Sequence, residues 1–417
     1  MQLAFKIATT QMLARKKQTL IATLGVTFGI GMFVFMVSFM TGINLLLEET
    51  MLAATPHIRI YNAIEVGKYS ILDASRDPLT HFNLVYHQRP KDEKGSLRNG
   101  FQMVTHLRQN ASVLGVSPQL TSQVFYNFGP LQIGGSFVGV QIFEENKLFD
   151  IQSKLQNGSL EALLTTTDGL LVGDGLAKKM KLQVGDKITV STPRGNVRLM
   201  KVVGIFKFGL GAIDDSRSYA NISTVQKLLG KDTRYITDIQ VKVKDYYQAK
   251  DLAKVLHKKY GYKAEDWETA NASILVSFTL RNIITYAVSI TLLVVAGFGI
   301  YNIMNMTIYE KMKDIAILKA IGLAGRDVQQ IFLIQALLIG TMGALSGLLM
   351  GFLLSWWVST IPFNSGGILS VDTFPVNFDP KYYLIGIIFG IATTFLAGYL
   401  PSRKASKIDP VRIIRGS

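Results

Sequence analysis

Four runs without a charged side chain dominate the pattern of hydrophobic and polar positions: residues 18–47, 282–309, 328–371 and 382–402. A helix that crosses a bilayer needs about 20 predominantly apolar residues, and each run is long enough. The third run is too long for one crossing, and its stretch 361–367, which contains Pro, Asn and Gly, is typical of a loop. The first run exceeds the apolar core of a cleavable signal peptide. The pattern therefore predicts four membrane-spanning helices.

The segment between the first two runs is long enough to bury a core of its own. Residues 56–61 have the pattern of a strand, 95–110 have apolar positions at helical spacing, and 237–267 indicate strand, helix and strand. Residues 129–143 are typical of a hairpin that turns at Gly134-Gly135. We therefore expect an α-helical membrane protein with an α+β extracytoplasmic domain inserted between helices 1 and 2.

Lysine and arginine cluster in three short segments, with four in 1–18, four in 310–327 and five in 402–417, whereas 362–381 carries only Lys381. Positive residues close to membrane helices mark the cytoplasmic side. Both termini and 310–327 are thus predicted to be cytoplasmic, and the inserted domain is predicted to be periplasmic. A long translocated domain is exempt from this charge rule, so its basic composition does not conflict with the assignment.

These signals divide the chain into nine predicted segments. They are a cytoplasmic N-terminal segment (1–18), helix 1 with a stalk (19–47), the periplasmic α+β domain (48–276), a stalk with helix 2 (277–309), a cytoplasmic helix (310–327), helix 3 (328–361), a short periplasmic loop (362–381), helix 4 (382–401) and a cytoplasmic tail (402–417).

Composition excludes several classes of site. The chain has 417 residues, is 48% hydrophobic and carries a net charge of +15. The three basic segments next to the predicted spans explain part of this charge, so it does not require nucleic acid as a partner. It has no cysteine, and its five histidines show no metal-ligand spacing. No P-loop and no nucleophile elbow is present, so we predict a chain without catalytic residues. Asp214 and Asp215 are either a carboxylate pair for acid–base chemistry or, as we prefer, part of a solvated loop.

Three of the predicted spans carry small residues at helix-packing spacing. The positions are Gly25 and Gly29 in the first span, Gly343, Gly347 and Gly351 in the third, and Gly386 and Gly390 in the fourth. Such ridges serve either packing within one chain or a dimer seam. No ionisable residue lies inside a span, which argues against a proton relay.

The segment 310–322 is short, rich in charge and predicted to be helical. Met312, Ile315 and Leu318 share one face at about 100° per residue, and Gly322 is placed as the C-terminal stop. The segment is either a solvated hairpin or a helix whose apolar face is buried on lipid or in the groove of a partner.

Residues 309–351, YEKMKDIAILKAIGLAGRDVQQIFLIQALLIGTMGALSGLLMG, resemble the core of the FtsX-type (MacB/LolC/LolE) ABC permease domain. The tail YLPSRKASKIDPVRIIRG (399–416) is similar to the family's C-terminal motif. GDGLAKKMKLQVGDKITV (173–190) and VVGIFKFGLGAIDDSRSYA (202–220) are similar to its MacB-like periplasmic core. The N-terminal LARKKQTLIATLGVTFGIGMFVFMVSFMTGI looks most like the lipoprotein-releasing LolC/LolE branch.

The resemblance implies that the helix at 310–322 is a coupling helix that docks into a separate ABC ATPase subunit. The residues that would make or shape this contact are Asp314, Ile315, Leu318, Lys319 and Gly322. Because only eighteen residues precede the first span, we expect the ATPase to be a separate protein. This chain would bind no cofactor itself, and the partner would hold ATP and Mg²⁺. A second permease copy or a paralogue would complete the complex.

The family's mechanism is mechanotransmission, in which long extensions of spans 1 and 2 relay motion to the periplasm. The resemblance places the substrate's acyl chains between these spans, where aromatic and Met side chains suit an adaptable lipid cavity. The residues at that depth are Phe35, Phe39, Met40, Ile43, Leu46, Phe278, Ile284 and Val288. Ordinary packing against membrane lipid is the alternative for each of them.

Three functions remain open. The first is an inner-membrane permease of bacteria that releases lipoproteins to a periplasmic chaperone for delivery to the outer membrane. The second is MacB-like export of periplasmic peptides or drugs, which requires an adaptor. The third is FtsX-like activation of a cell-wall hydrolase, against which the large outer domain argues.

Overall fold

The computed structural model describes residues 2–63, 95–362 and 373–414. They form two compact units. The membrane unit comprises the described residues up to 47 and from 274 onward, and the sheet domain comprises the described residues from 48 to 273. Half of the predicted loop 362–381, residues 363–372, and with it most of the predicted break at 361–367, lies outside the described residues.

The helices and strands are numbered here in chain order. The helices are α1 (Gln2–Ala14), α2 (Lys16–Ala54), α3 (Gly100–Arg108), α4 (Ile142–Phe149), α5 (Ile151–Lys154), α6 (Ala162–Thr165), α7 (Asp174–Met180), α8 (Gly211–Asp214), α9 (Ile222–Leu228), α10 (Ala249–Tyr260), α11 (Trp267–Ala270), α12 (Ala272–Glu310), α13 (Met312–Ala320), α14 (Gly325–Thr360), α15 (Pro380–Ser406) and α16 (Pro410–Ile414). The strands are β1 (Ile58–Tyr61), β2 (Val113–Phe128), β3 (Leu131–Val140), β4 (Leu155–Gly158), β5 (Gly169–Gly173), β6 (Lys187–Ser191), β7 (Val197–Phe206), β8 (Arg217–Asn221), β9 (Asp238–Val243) and β10 (Lys263–Asp266).

Four helices, α2, α12, α14 and α15, are long and apolar enough to cross a membrane, which confirms the four predicted spans. Both α2 and α12 contain 39 residues. At a rise of 1.5 Å per residue each is about 58 Å long, roughly twice the thickness of a hydrocarbon core. These two helices therefore continue well beyond the bilayer, as the stalk prediction requires.

The glycine ridges of α14 and α15 pack inside the chain, against α2. A Cβ atom at Gly347 would lie 2.9 Å from the Cβ of Ile30, and one at Gly390 would lie 2.3 Å from Cδ1 of the same residue. Small residues allow backbones to approach this closely. The contact core around Ile30 also includes Val34 and Phe332. For these two ridges the structure supports packing within one chain, whereas Gly25 of the first span has open space around it.

The three basic segments lie at the same end of the membrane unit. Arg15, in the break between α1 and α2, forms an ion pair with Glu310 at the end of α12. Lys319 of α13 donates hydrogen bonds to the carbonyl oxygens of Ser406 and Ile408 in the tail. The N-terminal segment, the short connection between spans 2 and 3 and the C-terminal tail thus share one side, as the charge pattern predicts.

The described residues of the sheet domain form a ten-stranded mixed sheet in the order β10-β1-β9-β2-β3-β8-β5-β7-β4, with β6 paired to β2 and β7. Most pairs are antiparallel, whereas β3–β8 and β5–β7 are parallel. Short helices cover the sheet, and its main core includes Val138, Leu171 and Phe206. The α+β class is confirmed, as are the strand at 56–61, the helix within 95–110 and the strand–helix–strand order of 237–267.

The predicted hairpin turn at Gly134-Gly135 is wrong. Strand β3 runs without interruption through this pair, and the turn lies at Gly129 and Pro130, between β2 and β3. A Cβ atom at Gly135 would lie 2.4 Å from the carbonyl oxygen of Ser216. Glycine is present at this position because another backbone passes close to the strand, and the sequence gives the same signal for a close approach as for a turn.

Candidate functional site

Helix α13 connects spans 2 and 3 and ends where the sequence predicts. The amide of Gly322 donates to the carbonyl oxygen of Lys319, and the amide of Leu323 donates to that of Leu318, both at 3.1 Å. These two bonds are those of a Schellman motif, which needs a left-handed residue after the helix. Gly322 has φ +109° and supplies that conformation without steric cost. The prediction of Gly322 as the stop is confirmed.

The inner face of α13 is already covered by the chain itself. Ile315 and Ala316 are 2% and 0% exposed, and Ile315 belongs to the same buried cluster as Val328 and Ala405. The C-terminal helix α16 packs against α13. Of the predicted apolar face, Ile315 is therefore covered within the chain, whereas Met312 and Leu318 are half-buried. Ile315 belongs to the packed interior beneath α13.

The opposite, outer face of α13 presents two isoleucines that are not among the predicted coupling residues. Ile317 is 55% exposed and Ile321 is 72% exposed. Residues four apart lie next to each other on a helix surface, so the two side chains form one apolar patch. Asp314 is also exposed and pairs with Lys311 at 2.6 Å. We call Asp314, Ile317 and Ile321 the outer face of α13.

Lys319 and Leu318 lie between these two faces. The ammonium group of Lys319 donates to the carbonyl oxygens of Ser406 and Ile408 at 3.0 and 2.6 Å, so it holds the tail against α13. Leu318 is half-buried. Of the five predicted coupling residues, Asp314 and Gly322 are exposed, Leu318 and Lys319 are half-buried, and Ile315 is buried.

The residues of the predicted lipid cavity lie on α2 and α12 in different environments. Phe35 and Phe39 of α2 stack with their ring centres 5.9 Å apart, and Phe39 also lies 6.0 Å from the ring of Phe374. On α12, Ile284 is 63% exposed and faces away from the protein interior. The remaining predicted residues are Met40, Ile43 and Leu46, which are half-buried, Phe278, which is buried, and Val288, which is exposed.

A polar clasp joins α2 to α12 at the outer ends of their charge-free runs. The side-chain amide of Asn44 donates to the Oδ1 atom of Asn282 at 2.9 Å, and Arg281 donates to the Oδ1 atom of Asn44 at 2.8 Å. The guanidinium of Arg281 also lies 5.7 Å from the centre of the Phe278 ring. We call Asn44, Arg281 and Asn282 the clasp, because an object that enters between the two helices here must break these bonds.

The two helices also approach each other closely further along α2. A Cβ atom at Gly29 would lie 3.3 Å from the Cβ of Ala296. Between Gly29 and the clasp residue Asn44, α2 covers about 22 Å. The predicted cavity residues of α2 all lie in or next to this interval. The α2–α12 pair is therefore held at two points, with aromatic and Met side chains of α2 between them.

Asp214 and Asp215 have structural roles. Asp214 is only 5% exposed, and its two oxygens accept hydrogen bonds from the amides of Phe208 and Gly209, each at 2.8 Å. Burial raises the pKa of its carboxyl group, and these two hydrogen bonds oppose the rise. Asp215 pairs with Lys179 at 2.8 Å. The expectation of a solvated loop is therefore wrong for Asp214, whose carboxylate braces a turn. Within the described part of the chain, no group of acidic or histidine side chains is arranged for a metal ion.

Comparison with known proteins adds two family matches that together cover most of the chain. The family described as MacB-like periplasmic core domain matches residues 19–259. The family described as FtsX-like permease C-terminal matches residues 286–410. The first match includes nearly all of α2 and most of the sheet domain. The second includes α12 from residue 286 onward, together with α13, α14 and α15.

Three relatives illustrate the range of similarity. The lipoprotein-releasing system transmembrane protein LolC of Neisseria meningitidis is 25% identical, with 95% of this chain and 94% of that protein covered. The corresponding LolE protein of Haemophilus influenzae is 22% identical over 94% of this chain and 93% of its own length. The macrolide export ATP-binding/permease protein MacB of Psychrobacter arcticus is 23% identical over 99% of this chain but only 59% of its own length.

Proposed function

Because the chain belongs to the FtsX-like permeases with a MacB-like periplasmic core, we propose that it is the permease subunit of a lipoprotein-releasing ABC transporter. It would pass lipoproteins from the inner membrane to a periplasmic carrier. The observation that carries the proposal is the alignment with a lipoprotein-releasing LolC protein over 95% of this chain and 94% of that protein. The similarity thus includes both the membrane unit and the sheet domain.

We assign the outer face of α13 to contact with a separate ATPase that binds ATP and Mg²⁺. Two exposed isoleucines on a helix are an apolar surface that a partner groove can bury. Basic residues at the same end of the membrane unit support a cytoplasmic location for α13 and both termini. This location is the side on which ATP is available.

The force of ATP-driven closure would reach the periplasmic side through α2 and α12. Each is a continuous helix of 39 residues, and a continuous helix transmits displacement along its axis because its backbone hydrogen bonds resist bending. Acyl chains of the lipoprotein would enter between the two helices next to Phe39 and Ile43, after the clasp opens. A second permease, either another copy or a paralogue, would complete the cavity.

Site-specific photo-crosslinking tests where the substrate binds. A photoreactive residue replaces Ile284 of α12 in one variant and Ile388 of α15 in a matched control, since the two are 63% and 61% exposed. Each variant is reconstituted with the ATPase and a triacylated lipoprotein. We expect a lipoprotein adduct at position 284 that disappears when ATP is added, and no adduct at position 388. Equal labelling at both positions would mean ordinary contact with membrane components.

MacB-like export is the second candidate, and the match of 99% of this chain to a macrolide exporter favours it. The two functions differ in the substrate that enters the α2–α12 cavity. An adduct of a soluble peptide or macrolide at position 284, with no adduct of the lipoprotein, would favour export. An adduct of the lipoprotein alone would favour release.

A further inference from the structure

Strand β9 of the sheet domain carries polar side chains on a face that is buried. Asp238, Gln240 and Lys242 alternate along the strand and therefore point to the same side of the sheet. They are only 2%, 6% and 8% exposed. Burying a polar group costs free energy unless the group is hydrogen-bonded or paired. Each of these three side chains therefore needs a partner inside the domain.

Most of these groups have partners within the domain. Asp238 accepts a hydrogen bond from Nε of Arg59 at 2.6 Å. Lys242 donates to the carbonyl oxygens of Leu52 and Ala53, in the last turn of α2, at 3.0 and 3.3 Å. A cation is favourable there because helix C-termini carry partial negative charge.

Beneath the same face, a third carboxylate is fully enclosed. Glu145 of α4 is 0% exposed and accepts hydrogen bonds from Ser117 and Gln119, both at 2.5 Å. Burial raises the pKa of Glu145 to about 7. Its carboxyl group therefore keeps its proton to a higher pH than an exposed glutamate does.

Two groups on this face remain incompletely matched. The Oε1 atom of Gln240 is buried without a hydrogen-bond partner among the described residues. Arg217 donates to the hydroxyl of Tyr219 at 3.3 Å. Among the described residues, Glu145 and Asp238 attract its guanidinium from beyond ion-pair distance. One acceptor without a hydrogen-bond partner and one cation without a direct ion pair among the described residues are thus found on the same face of the sheet.

Both groups line one cavity of about 360 Å³. The strand register places Glu265, Arg59 and Gln240 in one row across β10, β1 and β9. It places Gln123 and Arg217 in a second row across β2, β3 and β8. The cavity is closed on another side by the residues through which the chain enters and leaves the domain, including 54–56 and 270–271.

The ionisable groups in and around the cavity have an excess of positive charge. They are four cations and three carboxylates: Arg59, Arg217, Lys242 and Lys263, with Asp238, Glu145 and Glu265. A polar cavity with net positive charge favours an anion.

We propose that this cavity binds a small oxyanion, a phosphate or carboxylate group on a polar molecule, with Arg217 as its main ligand. A hydroxyl or N–H group of the same molecule would donate to the Oε1 atom of Gln240. This site is separate from the α2–α12 cavity and does not depend on lipoprotein release. It gives the sheet domain a ligand-binding role of its own.

The test uses the full chain in detergent and isothermal titration with three probes: inorganic phosphate, glycerol 3-phosphate and malate. Glycerol 3-phosphate represents a lipid headgroup, inorganic phosphate the free ion, and malate a hydroxy acid. We expect saturable binding of at least one probe at millimolar concentration or below. The probe that binds identifies the source of the oxyanion, and absence of saturable binding for all three would overturn the proposal.

Two variants connect binding to the cavity. Arg217→Gln removes the cation and is expected to abolish binding. Gln123→Glu adds a negative charge about 10 Å from Arg217 across two strand spacings, and it lowers affinity about tenfold. Gln123 is exposed, so this variant remains informative even if Arg217→Gln does not fold. Gln152→Glu, an exposed control on α5, should leave affinity unchanged. Equal effects of Gln123→Glu and Gln152→Glu would exclude the cavity as the binding site.

Discussion

Replacing Ile321 by aspartate tests the docking surface of α13 with little effect on the fold. The side chain is 72% exposed in the isolated chain, so the fold gains little from it. Full burial of an isoleucine side chain contributes roughly 1.5–3 kcal/mol, and the exposed share that a partner can bury is therefore about 2 kcal/mol. An aspartate in the same groove also loses hydration without a counter-charge. We expect the affinity for the ATPase to fall at least about thirtyfold.

The assay measures the dissociation constant of the ATPase for the detergent-solubilised permease and the rate of ATP hydrolysis. Val255→Asp is the matched control, because Val255 is a 59% exposed apolar residue on α10 of the sheet domain. The control variant should bind the ATPase as the unmodified chain does. Unchanged affinity for Ile321→Asp, in a protein that elutes and inserts normally, would refute the assignment of the outer face.

Ile315→Asp provides a contrast with a different expected result. Ile315 is 2% exposed inside the membrane unit, so an aspartate there places a charge in a packed core. Such substitutions destabilise by several kcal/mol, and we expect loss of folded protein in addition to loss of ATPase binding. The two variants therefore distinguish a residue of α13 that contacts the ATPase from one that stabilises the fold beneath the docking surface.

Three further predictions concern packing, motion and pH. Gly347→Ala should destabilise the membrane unit by about 1–3 kcal/mol in thermal unfolding, whereas Gly299→Ala, which has open space around it, should not. Because the chain has no native cysteine, an Asn44→Cys/Asn282→Cys pair should crosslink the clasp under oxidation and stop transport until a reductant is added, whereas either single variant should remain active. Burial raises the folded pKa of Glu145 from 4.5 to about 7, so its contribution to stability falls as the pH rises from about 4.5 to 7. That fall amounts to about 3 kcal/mol, and hydrogen exchange of β2 should lose this pH dependence in Glu145→Gln.

The spans and the strand–helix order of the sheet domain were predictable because each depends on local pattern. A charge-free apolar run of about 20 residues or more is rarely anything but a membrane helix. Gly322 was predictable as a helix stop because glycine commonly supplies the left-handed residue that ends a helix. Gly134-Gly135 failed because glycine permits both a turn and a close approach, and only the position of Ser216 distinguishes them. The role of this glycine pair is therefore set by packing between residues that are distant in sequence.

The sequence also could not show which face of α13 is buried. The stretch IAILKAI contains apolar residues on every side of a helix, so periodicity does not identify the face that turns inward. The inward face follows from the position of the tail and of α15, which cover Ile315. Ile317 and Ile321 are then left on the outer surface.

The alternating polar residues of β9 are visible in the sequence, but their environment depends on the fold. Alternating Asp238, Gln240 and Lys242 are typical of a strand with one solvated face. In the sheet domain, that face is covered by other elements and encloses a cavity. A sequence shows the alternation of polar residues but does not show what lies over them.

ATP-driven transfer of a lipoprotein is the measurement that tests the proposed function most directly. The chain is reconstituted in proteoliposomes with its candidate ATPase, its second permease if one is needed, and a triacylated lipoprotein. ATP and a soluble periplasmic chaperone are then added, and lipoprotein in the soluble fraction is measured over time. We predict transfer that requires ATP and is lost in Ile321→Asp but retained in Val255→Asp. Sustained ATP hydrolysis with the lipoprotein still in the membrane would contradict lipoprotein release.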